Sequence, residues 1–108
     1  MLKAKSIITA MAGVLMLMLM VGNVQAKGNA GRGADLTNDC IECHGMDGKG
    51  NWETPAIAGL KESYILKRLR AFNSGKAKTL DNIMHIYTED RTDQELQDLA
   101  AYWASRSK

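Results

Sequence analysis

Two cysteines are all that the 108 residues contain, and they stand three positions apart at Cys40 and Cys43. A structural zinc site needs four ligands, and beyond this pair the chain offers only its two histidines, His44 and His85. No segment alternates apolar and polar residues as a strand does, so the βαβ setting of a thioredoxin-like dithiol is missing. Proline is reduced to Pro55, and aromatics to two Trp, three Tyr and one Phe. There is no internal repeat, low-complexity tract or second domain. Excess charge is scarce as well, with 14 basic against 12 acidic residues. That balance gives no support to nucleic-acid binding.

The one long apolar run, Ile7 to Val21, is short for a membrane span, which needs about 20 residues. Lys3 and Lys5 precede it, and Val24-Gln25-Ala26 follows with small residues where a signal peptidase reads. Residues 1–26 are therefore expected to be a secretory signal peptide, an uncleaved anchor being the alternative. No cysteine near the end of the run is available for a lipid anchor. Without Lys3 and Lys5, residues 27–108 carry 12 basic and 12 acidic side chains and are formally neutral. These 82 residues lie near the lower limit for a self-sufficient core.

What the chain does have is Cys40-Ile41-Glu42-Cys43-His44. This is the spacing of a covalent haem attachment site, two thiols on one local turn followed at once by an imidazole. Each thiol is placed to add across one vinyl group of a single porphyrin, and His44 to reach the iron from the proximal side. A redox-active dithiol, a local disulfide and half of a zinc site are the competing readings of the pair. Against zinc, His44 directly abuts Cys43 and suits a tetrahedron poorly. Export agrees with haem, because attachment needs free thiols and haem together outside the cytoplasm. A buried macrocycle would also supply apolar surface that so short a chain lacks, so the haem-free form is expected to fold poorly.

Helices and loops account for the rest. Gly33, Leu36, Cys40 and Cys43 recur at helical spacing, which predicts one helix leading into the haem motif. Gly45, Gly48 and Gly50 end it in a turn-rich loop, and Trp52 to Leu60 reads as irregular. Residues 62–74 resume helical periodicity with Ile65, Leu69 and Phe72 on one stripe, stopped by Ser74-Gly75. A short helix is expected around Leu80 to Ile86. Thr92 and Glu95 form a capping box that opens a last helix with Leu96, Leu99, Ala100 and Trp103 on its apolar face.

A ligand opposite His44 has three candidates in residues 27–108: Met46, Met84 and His85. Met46 lies two residues beyond His44, too close along the chain to cross to the other face. Met84 gives a thioether, which stabilises reduced iron, whereas His85 gives a second imidazole and a lower potential. Ile83 and Ile86 around Met84 suit a dry distal pocket, and Met84 is preferred. Trp52 is a candidate either to donate its indole N–H to a haem propionate or to pack over the haem edge.

The stretch from about Gly31 to Ser105 resembles a monohaem class I cytochrome c. Within that class it is most similar to the small haem subunits of flavocytochrome c sulfide dehydrogenases and their soluble relatives. The matching segments are 30–33, 40–45, 47–50, Pro55 to Leu60, Tyr64 to Gly75, Ile83-Met84 and Leu99 to Ser105. Residues 87–91 depart from such subunits in being more acidic. The resemblance implies an all-α class I cytochrome c fold packed around one covalent haem c. It implies Met84 as distal ligand and Pro55 near the carbonyl that accepts the proximal histidine's ring N–H. It also implies that the first and last helices cross near Tyr102 or Trp103.

The resulting expectation is a periplasmic, single-domain carrier of one electron on a His/Met haem, which is not itself an enzyme. Its partner would be a redox protein, with the haem subunit of a flavoprotein sulfide dehydrogenase as the second reading and a ligand-binding haem sensor as a third. Charge is segregated along the chain. Lys61 to Lys78 holds six bases and one acid, and Thr79 to Asp98 six acids and one base. That is either a dipole orienting encounter with a redox partner or a pair of solvated helix faces.

Overall fold

In a computed structural model, residues 27–108 are described, and the expected signal peptide lies outside them. The described residues form helices α1 (Ala30–Ala34), α2 (Asn38–His44), α3 (Glu62–Asn73), α4 (Ile83–Thr88) and α5 (Asp93–Ser105), with a 3₁₀ turn at Leu80–Asn82. No strand occurs among them, so the all-α class is as expected.

The helix expected to run from Gly33 into the haem motif is instead two, α1 and α2. The Thr37 hydroxyl donates to the Ala34 carbonyl at 2.9 Å, taking the acceptor that a continuing helix would have offered to the Asn38 N–H. Apolar spacing persists across the break, which is why periodicity alone runs through it. α2 stops at Gly45, whose φ of +87° favours glycine.

α5 is the frame of the molecule. Thr92 Oγ1 accepts the Glu95 N–H at 3.1 Å, and Glu95 Oε1 accepts the Thr92 N–H at 3.0 Å, so the expected capping box forms. Leu96, Leu99, Ala100 and Trp103 are all buried, the larger ones contributing about 1.5–3 kcal/mol each by leaving water. From α3, Ile65 joins Ala58, Ala100 and Trp103 in one cluster, and an exposed two-pronged pair, Arg70 to Asp93 at 2.8 and 2.9 Å, staples the same helices.

α1 crosses α5 where it carries no side chain. A Cβ on Gly33 would overlap the main-chain carbonyl of Asp98 and come within 2.8 Å of the Tyr102 Cβ. Beside this contact the Asn29 N–H donates to the buried Asp98 carboxylate at 2.7 Å, which also accepts from Gln94 Nε2 at 3.0 Å. The first and last helices thus meet next to Tyr102, as the resemblance implies.

Candidate functional site

α2 presents the haem motif. Cys40, Cys43 and His44 all lie within its seven residues, both thiols are free, and Cys40 is the more buried of the two. Burial pushes the Cys40 thiol above its ordinary pKa, partly opposed by the nearby Trp103 indole N–H and by the charge of Arg91. Arg91 also fixes where α2 begins. Its guanidinium reaches Glu95 Oε2 at 3.2 Å, the Leu36 carbonyl at 3.4 Å and Asp39 Oδ2 at 3.5 Å.

His44 is buried and donates from Nδ1 to the carbonyl oxygen of Pro55 at 2.8 Å. The residue bearing that carbonyl is Pro55 itself. A carbonyl accepts only, so Nδ1 carries the proton and Nε2 is left with a lone pair. Turning the chain from α2 back to Pro55 takes three positive-φ glycines, Gly45, Gly48 and Gly50. Gly50 is also a close approach, since a Cβ there would overlap the Thr54 carbonyl oxygen.

Met84 is half-buried on α4 and held by two threonines. Its N–H donates to Thr79 Oγ1 at 3.2 Å, and its carbonyl accepts from the Thr88 hydroxyl at 2.7 Å. Asn73 Nδ2 secures the far end of the segment, donating to the carbonyls of Thr88 at 2.7 Å and Arg91 at 3.2 Å. Ile83 and Ile86 flank it on the same helix. Asp81 and Asn82 enter α4 with φ of 56° and 58°, a left-handed pair costing about 1 kcal/mol or more per residue.

His85 is occupied on both sides of its ring. Nδ1 donates to the Phe72 carbonyl at 2.8 Å, and Nε2 lies 3.2 Å from Glu89 Oε2. It therefore does not join Cys40, Cys43 and His44 in a zinc site, and the described residues hold no group of three His, Cys, Asp or Glu suited to a metal ion. Met46 and Trp52 are 80% and 91% exposed, Trp52 on a loop closed by Asn51 Oδ1 accepting from the N–H groups of Glu53 and Thr54. The segregated charge is partly cancelled in space, because Arg70 and Arg91 are spent on Asp93, Glu95 and Asp39. Lys67, Lys76 and Lys78 take part in none of these pairs.

Sequence reasoning passed over Thr79, Thr88, Asn73 and Arg91 as parts of the site. Only Thr88 carried a local signal, standing four residues after Met84, where a hydroxyl back-bonds to the helix carbonyl.

The donor set suits a haem: two free thiols on one helix face, an imidazole fixed through Nδ1 with Nε2 presented, and a held thioether. The indole N–H of Trp103, on α5, is buried and makes no conventional hydrogen bond.

Residues 30–107 match the family model for cytochrome c. Cytochrome c4 of Pseudomonas aeruginosa is 33% identical over 97 residues, covering 89% of this chain and 47% of that protein. The cytochrome subunit of sulfide dehydrogenase from Chlorobaculum tepidum is 31% identical over 77 residues, 71% of this chain and 68% of that one. Among solved structures, the cytochrome c4 of Acidithiobacillus ferrooxidans superposes with a TM-score of 0.67 at 28% identity, over 77% of this chain and 52% of that chain. The chain spans about half the length of the cytochrome c4 proteins it matches.

Proposed function

Since the chain belongs to the cytochrome c family, whose members bind covalent c-type haem, we propose that it is a periplasmic electron carrier in which His44 and Met84 would hold the haem iron. The bound haem supplies a one-electron couple. Pro55 O holds the His44 ring in one tautomer and orientation, which would keep Nε2 the ligating atom. Thr79 and Thr88 hold the Met84 backbone, so its thioether is presented from a fixed turn of α4. Cys40 and Cys43 supply the two thioether anchors. With His44 and Met84 both holding the iron, the chain would leave no place there for a substrate and would move electrons without bond chemistry.

The observation that carries the ligand assignment is the engagement of both His85 ring nitrogens, which favours its neighbour Met84. In the oxidised protein, Met84→Ala is expected to abolish the sulfur-to-iron charge-transfer band while His85→Ala keeps it; the reverse pattern refutes the assignment. Binding of carbon monoxide by the ferrous wild type would instead favour a sensing role. The second reading, a haem subunit receiving electrons from a flavoprotein that oxidises sulfide, rests on the named Chlorobaculum relative. Gel filtration from the native source separates the two, a stable flavoprotein complex favouring the subunit and a free small protein the carrier.

A further inference from the structure

Trp103 keeps only 2% of its surface exposed, yet its indole N–H has no conventional hydrogen-bond partner. Burying such a donor unpaired is destabilising, a cost that phenylalanine in the same slot would avoid. Gly48 lies flat against the indole ring, a Cβ there falling 2.7 Å from Cε3, and the Trp103 carbonyl is tied to the Gly59 N–H at 2.8 Å.

The core around the indole is aliphatic, with Ala58, Ile65 and Ala100 as its buried members. Among the side chains packed against that cluster, two carry a heteroatom, Tyr102 and Cys40. Tyr102 meets the indole edge-on, with ring centres 4.9 Å apart, which spends its ring and not its hydroxyl. Cys40 is left; it packs against the cluster to which Trp103 belongs, and the Trp103 N–H offsets part of the rise that burial gives its thiol pKa.

We propose that Trp103 is a positioning residue for the haem, its indole N–H donating to the sulfur of Cys40 in the mature protein. The inference rests on the haem reading above. When a thiol adds across a vinyl group, an S–C bond forms and the S–H hydrogen passes to the neighbouring vinyl carbon. The sulfur lone pairs that would accept from Trp103 survive. The contact ties the attached edge of the cofactor to α5, and it draws electron density from the thioether, which favours reduced iron.

The test uses the holoprotein. A pyridine haemochrome spectrum first establishes two thioether bonds, and a spectrum of any other kind overturns the haem reading itself. Trp103 is then replaced by benzothienylalanine, whose ring keeps the shape of indole but carries sulfur where the N–H was. At the wild-type midpoint potential the ferric-to-ferrous ratio is expected to rise about twofold, the scale of one weak hydrogen bond. In the wild-type ferrous protein the Trp103 indole proton should exchange with deuterium at least tenfold more slowly than that of exposed Trp52. An unchanged midpoint in the isostere, with the two-thioether spectrum intact, refutes the role of Trp103 alone. So does exchange at the Trp52 rate. Trp103→Phe gives a second reading of the midpoint; if that variant fails to fold, the isostere decides.

Discussion

Gly33→Ala tests the crossing on which the site is hung. The added methyl would overlap the carbonyl carbon and oxygen of Asp98 and sit 2.8 Å from the Tyr102 Cβ. Two of these three atoms are main chain in the middle of α5 and cannot swing aside, so the helices themselves must part. Overpacking of this kind costs about 1–3 kcal/mol, and a contact against backbone belongs toward the upper end. Alanine returns up to about 1 kcal/mol in helix propensity. The net expectation is a loss of about 2 kcal/mol. At about 4–8 °C per kcal/mol for a domain of this size, the melting temperature should fall by about 8–16 °C. Gly31→Ala is the control on the same helix, since its nearest atom is a side-chain oxygen, Asn29 Oδ1, at 3.2 Å. It gains the propensity without the clash and should melt at or slightly above the wild type. Thermal unfolding of the two holoproteins, followed by circular dichroism, gives the comparison. Equal melting temperatures for the two variants would refute the argument that backbone contact sets the distance between α1 and α5.

Asp98 should make stability fall with acid. Burial opposes its ionisation, but hydrogen bonds from Asn29 N–H and Gln94 and the nearby Arg32 charge hold its pKa below the usual aspartate value. A depressed folded pKa gives stability that is complete above the unfolded value, about 3.9, and is lost as pH falls through the folded one. Asp98→Asn should lower stability near neutrality by about 1–3 kcal/mol and flatten the acid limb, read from melts across pH. Replacing Cys40 and Cys43 together by alanine should leave a poorly helical chain, and native helix content by circular dichroism would refute the expectation. Asn82→Val should cost about 1–2 kcal/mol, because a β-branched residue resists the left-handed backbone there, while Asn82→Gly stays near neutral; urea titration distinguishes them.

Local chemistry was legible in the sequence wherever it is written in adjacent residues. The Cys40–His44 motif, the Thr92–Glu95 capping box and the Gly75 stop each depend on a spacing of a few positions, and each is found in place. The break between α1 and α2 hid because it turns on one hydroxyl choosing a carbonyl, while the apolar pattern runs on. His85 and Arg91 are defined by partners far along the chain, at Phe72 and Leu36. No window of the sequence contains both ends of such a contact.

The bond from Asn29 to Asp98 spans 69 positions, and this separation governs when the protein acquires its shape. During synthesis at about 5–20 residues per second, α1 leaves the ribosome several seconds before the surface it docks against exists. The Cys40–His44 segment waits with it, unframed by α5, for the whole of that interval. Closing so long a loop carries an entropic cost before any contact offsets it. The chain thus stays open through the interval in which its thiols are within reach of other molecules, and closes only once α5 is complete.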